Sequence, residues 1–197
     1  FYTMRQNYKP YKIPTFGYPK LRLNLIIEYT DGSRQTIASD ISWKLTTEGP
    51  IRSNNEYDGE EYDARKELGD WNRTGYDDTN WIPAGRVSIP SGTLRAQMMP
   101  GMKVTESLKP VSIRKQGDKH ILDIGQNMAG WLRIRIKGQA GDSIRLRFAE
   151  RLQADGEIFT KNLRDAHCTD IYVVSGREPQ DTTSVSYTHL RAHETSL

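Results

Sequence analysis

A single cysteine, Cys168, stands in the 197 residues, which excludes an internal disulfide and any multi-thiolate metal site; a buried, inert thiol is its expected state. Long apolar runs are missing too. No segment approaches the roughly 20 apolar residues of a membrane-spanning helix, so no membrane partner is expected. The start, Phe1 to Arg5, has neither the basic region nor the apolar core of a signal peptide and reads as a chain already in progress. An excess of one charge is likewise absent: 28 Lys and Arg are interleaved with 25 Asp and Glu, for a net +3. Without clustered basic residues, no nucleic-acid partner is expected. Repeats, low-complexity tracts and a sustained 3.6-residue period are also lacking, which leaves room for short helical turns only.

What the chain does contain is enough apolar residues, 36%, to build one large or two small soluble globular domains. Their period is that of strands. Leu21, Leu23, Leu25 and Ile27 alternate toward Tyr29, Asp31-Gly32 supplies a hairpin turn, and a return strand runs through Thr36 and Ile37. Farther on, Leu132, Ile134 and Ile136 oppose Arg133, Arg135 and Lys137. After the turn Gly138 to Asp142, Ile144, Leu146 and Phe148 oppose Arg145 and Arg147. This pattern predicts a two-faced antiparallel hairpin with its apolar side inward. The fold expected is all-β, with two antiparallel β-sandwich domains of jelly-roll type. Met98-Met-Pro-Gly-Met102 interrupts the pattern, and Val104 to Ile113 reads as a fresh strand. The expected division is therefore residues 1–100 and 104–183.

The segment Ile51 to Arg65 concentrates acids: Glu56, Asp58, Glu60, Glu61 and Asp63, beside Asn54 and Asn55. Oxygen-rich clusters with a glycine for a sharp turn suit a hard cation, so calcium is the candidate cofactor and Asp58 and Glu60 its candidate ligands. The spacing is not that of an EF-hand. In a single strand, Glu56, Asp58 and Glu60 would share one face and Glu61 and Asp63 the other. The plainer reading is a solvated acidic loop at a sandwich edge. A carboxylate pair for glycoside hydrolysis could be drawn from the same residues, but it needs a separation across a cleft that spacing does not give. Trp71-Asn-Arg-Thr and Gly75-Tyr-Asp-Asp-Thr-Asn-Trp81 pair aromatic faces with amide, carboxylate and guanidinium groups, a composition suited to stacking on and hydrogen bonding with a sugar. Candidate carbohydrate-binding residues are Asn54, Asn55, Asp58 and Trp71. The plainer reading of Trp81 is a core or edge aromatic.

Asp123-Ile-Gly-Gln-Asn-Met-Ala-Gly-Trp131 is followed by Arg147-Phe-Ala-Glu150, Asp155-Gly156, Asn162-Leu-Arg164 and Thr169-Asp170. Taken in order with Phe16 to Lys20, Tyr29 to Gly32, Ser42 to Lys44, Tyr57 to Glu60 and Tyr62 to Arg65, the series resembles the bacterial α-L-rhamnosidases of glycoside hydrolase family 78. Residues 1–100 look like their N-terminal β-sandwich domain, and Gly75 to Trp81 resembles the close of a galactose-binding-like domain. From about Val104 the chain is similar to their concanavalin-like β domain.

The resemblance implies an inverting hydrolase that releases terminal α-L-rhamnose from glycosides, with its catalytic carboxylates in an (α/α)₆ barrel downstream of these β domains. The chain is then expected to be an inactive scaffold with a role in substrate recognition and no catalytic residue of its own. The missing barrel and L-rhamnose-containing glycosides are its implied partners. Some relatives carry a calcium-dependent rhamnose-binding module, and a stand-alone module of that kind is the alternative reading. The resemblance places the parent in bacteria, either exported or cytoplasmic. Ser186 to Leu197 departs from the family pattern and reads as non-native sequence, so residues 184–197 are expected to be a disordered tail. The pair His189 and His193 is not read as a zinc site.

Overall fold

The computed structural model describes residues 20–55, 57–88, 93, 95–177, 180–183 and 188–196. It is built almost wholly of strands, and no helix among the described residues is long and apolar enough to cross a membrane. Two compact units group the chain out of sequence order. Residues 20–49 with Leu68–Ala96 form one, and Pro50–Glu67 with Gln97–Leu197 form the other.

The smaller unit opens with β1 (Asn24–Glu28) and β2 (Arg34–Ala38), antiparallel with Leu25 opposite Ile37. Their turn forms where Gly32 adopts a positive φ of 83° and the Asp31 carboxylate accepts the Ser33 N–H at 2.8 Å. β3 (Lys44–Leu45) pairs with β6 (Ile82–Pro83). Trp81 packs edge-on against Tyr76 at 5.8 Å, and Lys44 bridges to Asp78 at 2.7 Å. Leu25, Ile26 and Ile37 of the hairpin are exposed.

The larger unit carries a seven-stranded sheet. Its members are β4 (Ile51–Asn55), β5 (Gly59–Asp63), β7 (Ser112–Gln116), β8 (Lys119–Gly130), β10 (Ser143–Ala149), β11 (Thr169–Val173) and β13 (Thr188–Ser196). They lie in the order β4-β5-β11-β10-β13-β8-β7. Every pairing is antiparallel except β5 with β11, which is parallel. A second layer is β9 (Arg133–Ile136) paired with β12 (Gln180–Thr183). Between the layers lie Ile136 of β9, Ile144, Leu146 and Phe148 of β10, and Tyr172, Val174 and Ala64, with Tyr62 stacked parallel on Tyr172 at 5.4 Å. Each large apolar side chain buried here contributes about 1.5–3 kcal/mol.

Three expectations need correction. β9 and β10 do not form a hairpin, because Gly138 to Asp142 arches between layers: Gly141 N–H donates to the Val174 carbonyl and Val174 N–H to that of Asp142. Both arrangements turn alternate residues inward, so alternation alone does not separate them. The strand expected over Val104 to Ile113 forms later, as β7, since residues 101–110 have no ladder partner among the described residues. Within the tail expected to be disordered, Thr188–Ser196 is a strand, because a ladder requires only backbone donors and acceptors and β8 and β10 offer both. Residues 184–187 and 197 lie outside the described residues.

Phe148→Ala is expected to lower unfolding free energy by about 3–5 kcal/mol, whereas Arg145→Ala on the outer face of the same strand stays within about 0.5 kcal/mol. Urea titration followed by tryptophan fluorescence measures both.

Candidate functional site

The acidic segment is a hairpin, with Asn54 opposite Glu60 and Asn55 opposite Gly59. Its tip is tied to the start of β11. Cys168 N–H donates to the Tyr57 carbonyl at 3.0 Å, Thr169 N–H to the Asp58 carbonyl at 2.9 Å, and Glu60 N–H to the buried Asp170 Oδ1 at 2.9 Å. The His167 N–H reaches Asp58 Oδ1 at 3.4 Å, and its ring Nδ1 lies 3.5 Å from the same oxygen. Gly59 makes this approach feasible. Its φ is +103°, and an added Cβ would run into the Thr169 carbonyl and come within 2.7 Å of Asp170 Oδ1.

The carboxylates of this hairpin are not a solvated loop. Glu60 is 6% exposed and accepts from the Asn54 amide at 2.6 Å. Burial pushes its pKa up, the Asn54 hydrogen bond opposes that, and the Asp170 charge adds to it. Asp63, also buried, receives both Nε and Nη2 of Arg65 at 2.9 and 2.8 Å, and this pairing holds its carboxyl below the ordinary range. The Cys168 thiol is pushed up to about 11 by burial and by Asp170, which leaves it unreactive at neutral pH.

On the other face of the sheet, strand alternation sets out a polar surface. The register runs Ser53, Glu61, Ile171, Arg145 across β4, β5, β11 and β10, and Thr169 stands opposite Arg147 in the next row. Together with Asp118, Lys119, Asp58 and His167, these residues line a depression of about 610 Å³. Lys119 Nζ lies 3.5 Å from Glu157 at its rim, and Gln116 donates to Glu157 at 3.0 Å. The loop bearing Glu157 is held by Arg114, which donates to the Gly156 carbonyl at 2.7 Å. A concave surface with cations and carboxylates side by side can hydrogen-bond a polyhydroxylated ligand from both donor and acceptor sides.

The sequence-based candidates fall in different places. Asn54 and Glu60 bond to each other, Asp58 faces His167, and Asn55 lies at the ladder position opposite Gly59. Glu56 is outside the described residues. Asp58 lines the depression through the hairpin tip, whereas Trp71 belongs to the smaller unit and is half exposed. Among the described residues, no group of three or more His, Cys, Asp or Glu side chains is placed to hold a metal ion. Sequence reasoning did not single out Arg145, Arg147, Lys119 and Thr169 as neighbours of the acidic hairpin. The Arg alternation in β10 was the available signal, but the joining of β5 to β11 was not in it.

The α-L-rhamnosidase N-terminal domain model matches residues 1–106, and the bacterial α-L-rhamnosidase concanavalin-like domain model matches residues 113–192. An α-L-rhamnosidase of Streptomyces avermitilis is 40% identical over 169 residues, covering 81% of this chain and 16% of that protein. One from Formosa agariphila is 37% identical over 158 residues, covering 80% and 17%. Among solved structures, the α-L-rhamnosidase from Dictyoglumus thermophilum superposes with a TM-score of 0.87 at 34% identity, covering 95% of this chain and 21% of that one. The Streptomyces avermitilis enzyme complexed with L-rhamnose gives 0.82 at 35% identity, covering 88% and 17%. The chain thus spans about a sixth of the length of the curated relatives it matches.

The two buried carboxylates should titrate with opposite effect. Glu60, with its pKa raised, contributes stability that is fully present below the unfolded value of 4.5 and lost as pH rises through the folded value. Asp63, with its pKa lowered, contributes stability present above 3.8 and lost as pH falls through its folded value. Glu60→Gln is therefore expected to melt above the parent at pH 7 and to converge with it toward pH 4, read by melting curves across that range. Gly59→Ala is expected to lower the melting temperature sharply at every pH.

Proposed function

Because the chain belongs to the bacterial α-L-rhamnosidase family, we propose that it serves as the non-catalytic β-sandwich part of an enzyme that hydrolyses terminal α-L-rhamnose from glycosides. The observation that carries this reading is the match of both halves to the N-terminal and concanavalin-like domains of the family, over about a sixth of the relatives' length. Inverting hydrolysis needs a carboxylic acid and a carboxylate about 6.5–9.5 Å apart across the sugar, with a water between. Among the described residues, the buried carboxylates are engaged otherwise: Glu60 with Asn54, Asp63 with Arg65, and Asp170 with the Glu60 amide. Their engagement supports placing the chemistry in an (α/α)₆ barrel of the same polypeptide, for which these domains act as scaffold.

Substrate recognition is the second part of the proposal. Trp71 is 56% exposed, with Asp70 and Arg73 beside it, and offers an aromatic face to a sugar ring. Asp58, at the rim of the depression, is the carboxylate best placed to accept a sugar hydroxyl or to meet calcium. Asn54, Asn55 and Glu60 complete the proposed set, in a supporting role at the hairpin.

Calorimetric titration with L-rhamnose, run with calcium and then with chelator, tests recognition. Saturable heat that Trp71→Ala abolishes is the expected result, and loss on chelation would assign calcium a part in it. No heat from a folded chain overturns the recognition role. The scaffold reading predicts no release of p-nitrophenol from p-nitrophenyl α-L-rhamnoside by this chain alone, and turnover would overturn it.

A further inference from the structure

The depression on the outer face of the larger sheet is walled on one side by the tip of the β4–β5 hairpin, which main-chain hydrogen bonds from Cys168 and Thr169 fix against β11. Its shape is therefore set before any ligand arrives.

One row of the sheet crosses its floor. Ser53 stands opposite Glu61, Glu61 beside Ile171, and Ile171 opposite Arg145, and all four line the depression. Neighbouring strands lie about 4.8 Å apart, so the Cα atoms of Glu61 and Arg145 are separated by roughly 10 Å, with Ile171 between them. The two charges do not meet across that gap. No ion pair joins them, and neither side chain has another hydrogen-bond or ion-pair partner among the described residues. Several neighbours are engaged instead: Asp58 faces His167, Lys119 lies beside Glu157, and Arg147 has a partner. An open guanidinium and an open carboxylate thus flank the half-buried apolar side chain of Ile171.

We propose that this row is a subsite for a sugar residue that bears a carboxylate, a hexuronate, with its carboxylate on Arg145, a ring hydroxyl donating to Glu61 and an apolar ring face on Ile171. The guanidinium is a planar fork that donates to both oxygens of a carboxylate at once. Ionised Glu61 only accepts, so it takes a hydroxyl and repels a second acid. A neutral sugar satisfies Glu61 and leaves Arg145 to water, while a bare anion satisfies Arg145 and leaves Glu61 and Ile171 unused. The saccharide character of the ligand rests on the reading of the chain as part of a glycoside hydrolase, whereas the order of charges rests on the register alone. Trp71 has no part in it, since it belongs to the other unit.

The test titrates the isotope-labelled whole chain with methyl β-D-glucuronide, methyl β-D-glucoside, acetate and sulfate, following backbone amide and arginine Nε–H resonances by NMR. Saturable shifts at Arg145 and Ile171 are expected with the glucuronide. The glucoside, acetate and sulfate should each bind at least about tenfold more weakly, equivalent to about 1.4 kcal/mol. Arg145→Gln, at a surface position where substitution costs little stability, should weaken glucuronide binding by a similar factor. Glu61→Ala should weaken the glucuronide and leave acetate unchanged. Trp71→Ala should leave glucuronide binding intact while it abolishes the heat with L-rhamnose, so failure of this subsite and failure of the recognition role at Trp71 are read separately. The proposal is overturned if the glucuronide gives no saturable shifts, if the glucoside, acetate or sulfate binds as tightly, or if Arg145→Gln binds the glucuronide as the parent does.

Discussion

The parallel pairing of β5 with β11 is the contact on which the larger unit depends, since it joins residues 110 positions apart in the chain. Closing a loop of that length costs roughly 4 kcal/mol of chain entropy. The N–H groups of His167, Cys168, Thr169 and Glu60 form four hydrogen bonds across the junction, at about 1 kcal/mol each. Burial of Ala64 and stacking of Tyr62 on Tyr172 add to them. The approach is close enough that only glycine fits at position 59. Everything that follows, including the polar depression and the extension of the sheet to β4, rests on this junction.

A single sheet then serves two chemistries. Its inner face presents Ile144, Leu146, Phe148 and Tyr172 to β9, and at the margin of that face Glu60 and Asp170 are satisfied by an amide and a backbone N–H. Buried polar groups are tolerated there because each has a partner. The outer face carries Arg145 and Arg147 beside Glu61 and Thr169, open to solvent in the depression. Alternation along β10 divides the two with no further device. Carboxylates that look alike in the sequence therefore differ in role: Glu60 is a buried element of the fold, while Asp58, two residues earlier, faces His167 at the rim.

This division bears on what a β segment of a rhamnosidase does. A two-layered sandwich with its apolar face consumed internally is consistent with the scaffold role proposed above. Its outer face offers cations and carboxylates in fixed register, which is a surface for polar ligands. The smaller unit has a different character, with Leu25, Ile26, Ile37 and Trp71 exposed.

Period-2 alternation, read from the chain alone, determined that the protein is all-β, that strands would form at Asn24–Glu28 and Ser143–Ala149, and which residues of the second face inward, whereas Leu25 of the first is exposed. A long ordered series of short motifs determined the family. Tertiary structure alone decided which strands are neighbours. The arch at Gly138 to Asp142 reads like a hairpin because both turn alternate residues to the core. The acidic segment reads like a solvated loop because nothing local reveals a partner 110 residues away. The tail reads as foreign to the family, yet a ladder position asks only for backbone groups, and Thr188–Ser196 has them. Side-chain pattern is a local property that a sequence displays directly, whereas pairing is a property of chain closure, settled only when distant segments compete for the same edge.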